Sequence, residues 1–515
     1  MYHYTPTQWL QTIIKNCLQF LPSANSASHS NTSGSVSELQ TAYSDFSQED
    51  KDNISRLIST QFEINDSLLI LSYIANTLKI HDYDLIIADQ LYAGDFPYDI
   101  QTMLEIKLLF LKDIPYDLMR KIHRKSLSCL LTYTQPPATY IPVRKRNTDR
   151  ILIITEQLLF NINHAPTAMV LEIAYMLQTS FQFEVEIVTC TSNKILPSYL
   201  WIFTYGFNSN GKGHMSISYK NTTLSAYQYP LNSCTTSDYQ QMLSSIYEFN
   251  PLFVLDIGTN SPIADLPHYF TTVVNLNTVT SAPASEADIF VRYTRLNDSL
   301  EVLYEKELSP HQTQVFMKQK FPAICNTTGE TYTREVLHLP EEQFLICIVG
   351  NRLDSEVSSS FKQLMTDILL SDSKIDFVII GIANELKKSF ENHPFFDRIH
   401  FLGYCLDLLD IYPVFDLYLN PERVGGGWSS AIALRAGLPV ITLPDCDVAY
   451  NVTDSFIVPT QEAMRKTILH YASDNSFYQT QKQLAQSYGV QMGENKVNEF
   501  LSEMLKKIKD VMPND

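Results

Sequence analysis

From Ile151 onward the sequence repeats one pattern: a blunt apolar run, a stretch with helical spacing, then another blunt run. Ile151-Leu-Ile-Ile-Thr155, Val185-Glu-Ile-Val-Thr189 and Leu252-Phe-Val-Leu-Asp256 are such runs; Phe344-Leu-Ile-Cys-Ile-Val-Gly350, Ile375–Ile380 and Leu417–Leu419 continue the series. A strand that is apolar on both faces belongs to a sheet covered on both sides, because a sheet with one wet face alternates apolar and polar residues. Helical spacing over Ala165–Ser180, Ser355–Leu370 and Ala383–Asn392 supplies the cover. The chain is therefore expected to be α/β, with two doubly wound, Rossmann-like sheets over 148–335 and 336–490. Leu200–Tyr205, Thr271–Leu276, Ala287–Tyr293 and Ile399–Leu402 read as further strands. Gly211–Tyr229 reads as a hairpin, Ser261–Leu266 and Leu406–Ile411 as short helices. Helices over Thr460–Ser473, Phe477–Tyr488 and Glu494–Ile508 end the chain, and 491–515 is a closing helical segment.

Residues 1–146 have a different texture. Helical periodicity runs over Trp9–Leu21, Ser47–Phe62, Ser67–Leu78, Tyr98–Phe110 and Tyr116–Leu131. Ser23–Ser37 is polar and structureless by composition, and Leu85–Ala88 reads as one short strand. Pro136, Pro137 and Pro142, followed by Arg144-Lys-Arg146, mark a linker. This mostly helical appendage suits packing or assembly, as a homo- or hetero-oligomer, or recognition of an acceptor.

A formal charge of −18 over 515 residues, with no basic stripe, argues against nucleic acid or anionic lipid as the main partner. The eight cysteines are scattered singly and suit buried thiols in a reducing compartment better than a disulfide scaffold or a zinc site. No signal peptide is legible, and no apolar run approaches the ~20 residues a membrane helix needs. The chain is expected to be cytoplasmic, with no transmembrane segment and no metal.

One loop concentrates the chemistry. After the strand Leu417–Leu419, Asn420-Pro421 ends the ladder, and Gly425, Gly426 and Gly427 let the backbone adopt positive φ or pass close to a bulky group. Ser429 or Ser430 then starts a helix that stops at Gly437, before the strand Leu438–Thr442. Open N–H groups at a helix start form an anion site, for which phosphate is a common tenant. A tight turn with no ligand gives the same pattern, and the spacing matches neither a Walker loop nor G-x-G-x-x-G.

The second half resembles a known family. Ile348-Val-Gly-Asn-Arg352, Val378-Ile-Ile-Gly381, Phe401-Leu-Gly403-Tyr404, Asp416-Leu-Tyr-Leu-Asn-Pro421, the three glycines and Ala436-Gly-Leu-Pro-Val440 follow the order of GT-B glycosyltransferases. The likeness is to retaining, family-4-like bacterial members with Asn-Pro-x-Arg-x-Gly-Gly-Gly, and covers about 148–490. Such enzymes move sugar from a nucleotide sugar to a polysaccharide, lipid-linked or protein acceptor, here in surface-glycan or protein glycosylation with a UDP-sugar as the expected donor. The resemblance implies no cofactor and no metal. It places the donor diphosphate against Gly425–Gly427 and the N–H groups near Ser429 and Ser430, with Arg352 and Arg423 as cations. Fixed positive charge there stabilises a leaving nucleoside diphosphate. Gly403 and Tyr404 would lie by the nucleoside.

Three departures stand out. The family's paired glutamates correspond to Val424 and Ile432, and isoleucine cannot accept a hydrogen bond from ribose. The lysine usual after the Arg352 position is absent, with Glu356 near its place, and Trp428 replaces a small residue. Glu422 and Asp445 are nearby carboxylates that could substitute for the missing pair, with Glu422 the expected catalytic carboxylate. In the first half His164, within Asn163-His-Ala-Pro-Thr167, is either a proton-transfer group or a helix cap, while Asp256 and Asp265 are further acid/base candidates. These residues are compatible with three functions: a transferase, a transferase-like subunit without chemistry, and an epimerase of the same architecture.

Overall fold

A computed structural model describes residues 4–18, 33–78, 80–108, 114–156, 158–159, 164–190, 212–230, 234–258, 260–278, 282–292, 298–325, 327, 329–423, 425–444 and 446–512. Two sheets carry the architecture. The first contains β1 (Asn147–Thr155), β2 (Glu184–Thr189), β3 (Gly213–Tyr219), β4 (Thr222–Gln228), β5 (Pro251–Gly258), β6 (Val273–Asn277), β7 (Ile289–Arg292) and β8 (Thr313–Phe316). Their order is β3-β4-β2-β1-β5-β6-β7-β8, parallel throughout except for the β3–β4 hairpin. The second contains β9 (Phe344–Val349), β10 (Ile375–Ile380), β11 (Ile399–Gly403), β12 (Leu417–Leu419) and β13 (Val440–Ile441), all parallel, in the order β11-β10-β9-β12-β13.

The apolar runs of both central strands, β1 and β9, are blunt because both their faces are covered. Ile151–Ile154 and Leu345–Val349 are buried on both faces, under helices that contribute Val170, Ile173 and Leu177 in one lobe and Met365, Ile368 and Met464 in the other. Order reverses between β1 and β5 in the first sheet and between β9 and β12 in the second. Open α/β sheets bind ligands at such switch points, outside the carboxyl ends of the strands.

The closing helix Val497–Val511 does not stay with the second sheet. Its Val497, Phe500, Leu501, Met504, Leu505 and Ile508 enter the core of the first lobe, so the chain end returns across the molecule. A second linker, the chain between β8 and β9, joins them: Phe321 meets Phe500 edge-on at 5.3 Å and stacks with Trp428 at 6.5 Å. Trp428 Nε1 donates to the Ile324 carbonyl at 2.9 Å. The large residue in place of a small one thus ties the glycine-loop helix to the linker.

The N-terminal helices form their own core around Trp9, Ile58, Ile74, Leu91 and Ile122. They dock on the first lobe through the helix Tyr116–Tyr133. Arg120, fully buried, donates to the Ala284 and Ser285 carbonyls and to Gln312, and pairs with Glu286 at 2.9 Å. His123 lies between Glu105 (2.6 Å) and Asp265 (2.7 Å). Burial works against its charge, but the two carboxylates outweigh burial and raise it to about 10. An imidazolium so held fixes the docking, and deleting one partner of such a buried set costs about 3–5 kcal/mol.

Some local expectations change. Leu85–Ala88 lies within the helix Asp84–Ala93, not a strand; Asp84 opens that helix, and Ile87 and Ala88 pack on neighbouring helices while Leu85 stays exposed. A helix begins at Ser33, so the polar stretch to Ser37 is partly helical. The glycine-loop helix starts at Gly427, earlier than the serines. Leu200–Tyr205, Val424, Asp445, Asn163 and Tyr293 lie outside the described residues.

Candidate functional site

The glycine loop follows β12 at the switch point of the second sheet. Gly425 (φ +96°) and Gly426 (φ +80°) take left-handed backbone that a side chain resists. A Cβ on Gly426 would also fall 2.6 Å from Nη2 of Arg423. Gly426 is the N-cap of the helix Gly427–Arg435, with no side-chain cap. The first intrahelical bond runs from Ser430 N–H to the Gly426 carbonyl at 3.1 Å. Amides ahead of it are those a helix start leaves without an intrahelical partner. Ser429 and Ser430 turn their hydroxyls back onto the Gly426 and Gly427 carbonyls, at 3.0 and 2.9 Å, so their side chains brace the turn.

Arg352 follows β9 as the residue just before the short helix Leu353–Glu356. Its guanidinium is largely exposed and pairs with Glu356 Oε1 at 2.9 Å. A Cβ on Gly425 would approach Nη2 of Arg352 to 2.9 Å, so the exposed cation lies against the loop. Arg423 points inward and is only 6% exposed. It donates to Asn420 Oδ1 (2.9 Å), Glu356 Oε2 (2.8 Å), the Val349 carbonyl (2.8 Å) and the Tyr418 hydroxyl (3.0 Å). Its position is that of a brace beneath the loop. Glu356 thus holds both arginines with one carboxylate, where the resemblance leads one to expect a lysine.

Asp447 makes a second internal pairing: its Oδ2 accepts from the Gly425 N–H at 2.8 Å. Next to it stands Lys320 of the linker, over the Tyr450 ring at 5.2 Å. Burial pulls this ammonium down to about 7, against the favourable field of Asp447. Lys320 and Asp447 carry no spacing signal in the sequence. They meet only because the linker folds back beside the loop.

Other candidates are distributed around this lip. Gly403 and Tyr404 are exposed at the end of β11, and the Gly403 carbonyl accepts from Gly381 N–H at 2.7 Å. They belong to the same carboxyl edge, two strands from β9. Glu422 is exposed on the loop itself. Ile432 is buried in the core with Tyr412 and Tyr418, so its helix position serves packing.

In the first lobe the acid/base candidates are taken up structurally. His164 caps the helix Ala165–Thr179: its Nδ1 meets Thr167 Oγ1 at 2.9 Å and accepts weakly from Thr167 N–H. Burial lowers it to about 4, so the ring is neutral near pH 7 and a poor base. Asp256 is buried against Asn275 and raised well above the usual carboxylate range by burial, then by Asp265. Asp265 accepts from Ser285 and from the Glu286 N–H, and faces His123.

Comparisons with known proteins bear on the fold. No family model matches the chain, and no curated protein matches it. A variant of the Thermobaculum terrenum O-GlcNAc transferase matches over 98% of this chain and 98% of its own, with 13% identity and a TM-score of 0.52. Anabaena HepE, solved with UDP, covers 70% of this chain and 100% of its own at 11% identity, with a TM-score of 0.48. The pneumococcal O-GlcNAc transferase GtfA, solved with UDP and GlcNAc, covers 70% and 99% at 9% identity, with a TM-score of 0.47. The first of these carries the fold, which is GT-B with an N-terminal helical region. No helix among the described residues is long and apolar enough to cross a membrane.

Proposed function

We propose that the chain is a glycosyltransferase that takes its sugar from a nucleoside diphosphate, with UDP the expected carrier, and passes it to a protein or glycan acceptor. The observation that supports this best is the uncapped helix start at Gly426–Gly427 with Arg352 beside it, at the β9/β12 switch point of a GT-B fold. A diphosphate there would accept from the helix amides while Arg352 neutralises the charge that gathers as the sugar bond breaks. Arg423 would act from below by holding Asn420 and the loop backbone in place. The expected transfer needs no metal, since protein groups supply the positive charge.

A second reading rests on a specific feature of the same lip. Glu356 neutralises both arginines, Asp447 occupies the Gly425 amide as a phosphate oxygen would, and Ile432 offers nothing to a ribose. In that reading the chain is a transferase-like partner subunit or acceptor-binding chaperone without donor chemistry. Incubating the purified chain with UDP-sugars and measuring UDP release, alone and with acceptor polypeptide or glycan, separates the two. Release above the spontaneous rate supports the transferase. No release, together with retained acceptor binding, supports the subunit.

A further inference from the structure

We propose a divalent-metal site, suited to Zn²⁺, formed by His268, Asp288 and His311 on the opposite edge of the first sheet from the strands' carboxyl ends. His268 belongs to the turn Leu266–Tyr269, Asp288 immediately precedes β7, and His311 lies two residues before β8. One nitrogen or oxygen from each side chain lies within 4.8 Å of the others. His268 Nδ1 and Asp288 Oδ1 are 3.4 Å apart. Tetrahedral zinc, with bonds of about 2.0–2.2 Å, requires its ligand atoms to be roughly 3.3 Å apart. The first pair already has that separation. His311 is exposed and lies within the same 4.8 Å, so a bound cation would have to draw it inward to complete the set.

The surroundings orient each donor as a ligand needs. Asp288 Oδ2 accepts from the Val273 N–H at 2.7 Å, which directs Oδ1 to the cluster. His311 Nε2 donates to the Glu286 carbonyl at 3.2 Å, leaving Nδ1 with the lone pair. Backbone groups that fix a ligand's tautomer and angle in this way are the usual outer layer of a metal site. The two imidazoles stack with centroids 4.8 Å apart and planes 25° apart. Two nitrogens and one carboxylate oxygen form a common three-ligand zinc set, completed by water.

The location suggests what the metal does. Glu286 and Gln312 flank the cluster, and both hold Arg120 of the docking helix. A cation linking the starts of β7 and β8 to the Leu266–Tyr269 turn would stiffen the seam on which the N-terminal helices sit. This role is independent of any donor chemistry at the glycine loop.

The test uses the full chain, free of any histidine tag and stripped with EDTA. It is titrated with Zn²⁺ alone against a chromophoric chelator, and with Co²⁺ while recording the visible absorption. One tight equivalent with tetrahedral Co²⁺ bands is expected, weakened at least about 10-fold in His311→Ala and in His268→Gln. Zn²⁺ should raise the unfolding temperature of the native chain and leave that of His311→Ala unchanged. His311 is exposed, so far-UV circular dichroism of its variant should match the native chain. If His268→Gln does not fold, the His311→Ala comparison decides alone. No stoichiometric binding, or equal binding in native chain and His311→Ala, would overturn the site.

Discussion

Replacing Glu356 with Gln should make the glycine-loop lip a better anion site. The lip holds Arg352 and Arg423 against one carboxylate, with Oε1 at 2.9 Å from Arg352 and Oε2 at 2.8 Å from Arg423. The amide keeps an acceptor and removes the charge, leaving the lip one unit more positive. A unit charge about 6 Å from a phosphate, at an effective dielectric of about 20, interacts by roughly 3 kcal/mol. Arg352 is largely solvated, so screening reduces this to about 1–2 kcal/mol. That corresponds to UDP binding tighter by about 5- to 30-fold. Folding should lose about 1–3 kcal/mol, because buried Arg423 exchanges a charged partner for a neutral one. Isothermal titration at two salt concentrations measures the gain, which should shrink as salt rises. Unchanged or weaker UDP binding in a folded Glu356→Gln protein would show that these guanidiniums do not face the phosphates.

Four further outcomes are expected. His123→Gln leaves Glu105 and Asp265 buried without their cation and should cost about 3–5 kcal/mol, read as a lower denaturant midpoint. His123 is raised to about 10, so its contribution is complete below pH 6.5 and lost as pH climbs through 10; the variant should lack that alkaline decline. Lys320, lowered to about 7, has the opposite sign: between pH 7 and 10.5 the unfolded chain holds a proton the native chain does not, so this group favours folding as pH rises. Lys320→Met should remove that component of the pH–stability curve, and UDP affinity of the native chain should fall between pH 6 and pH 9 as the ammonium discharges. Gly426→Ala forces a side chain into left-handed backbone against Arg423 and should cost about 1–3 kcal/mol, with lost UDP binding even where the fold survives.

The parallel sheets were readable because their evidence is local: Ile151–Ile154 and Leu345–Val349 are apolar on both faces, and only a covered strand tolerates that. The glycine loop was readable for a similar reason, since Asn420-Pro421 ends a ladder and Gly437 (φ +75°) ends a helix by backbone rules alone. Leu85–Ala88 misled because a short apolar run has no period of its own, and the neighbouring helices decided its state. The electrostatics of the lip were not legible. Glu356 and Arg423 are far apart in sequence, and Asp447 reaches Gly425 only after a further strand and turn. The inward turn of Arg423 likewise depends on Asn420, Tyr418 and Val349 converging in space. His164 carried two meanings in the sequence, and the helix it precedes uses its nitrogen as a cap.

Titrating the native chain and the Glu356→Gln variant with UDP asks whether the glycine loop holds a nucleotide. Saturable one-to-one binding by the native chain, abolished or weakened by Arg352→Ala, is the predicted result. Binding that appears only in Glu356→Gln would assign the chain to the partner-subunit reading. No heat from either protein at millimolar UDP would contradict a nucleotide site at the glycine loop altogether.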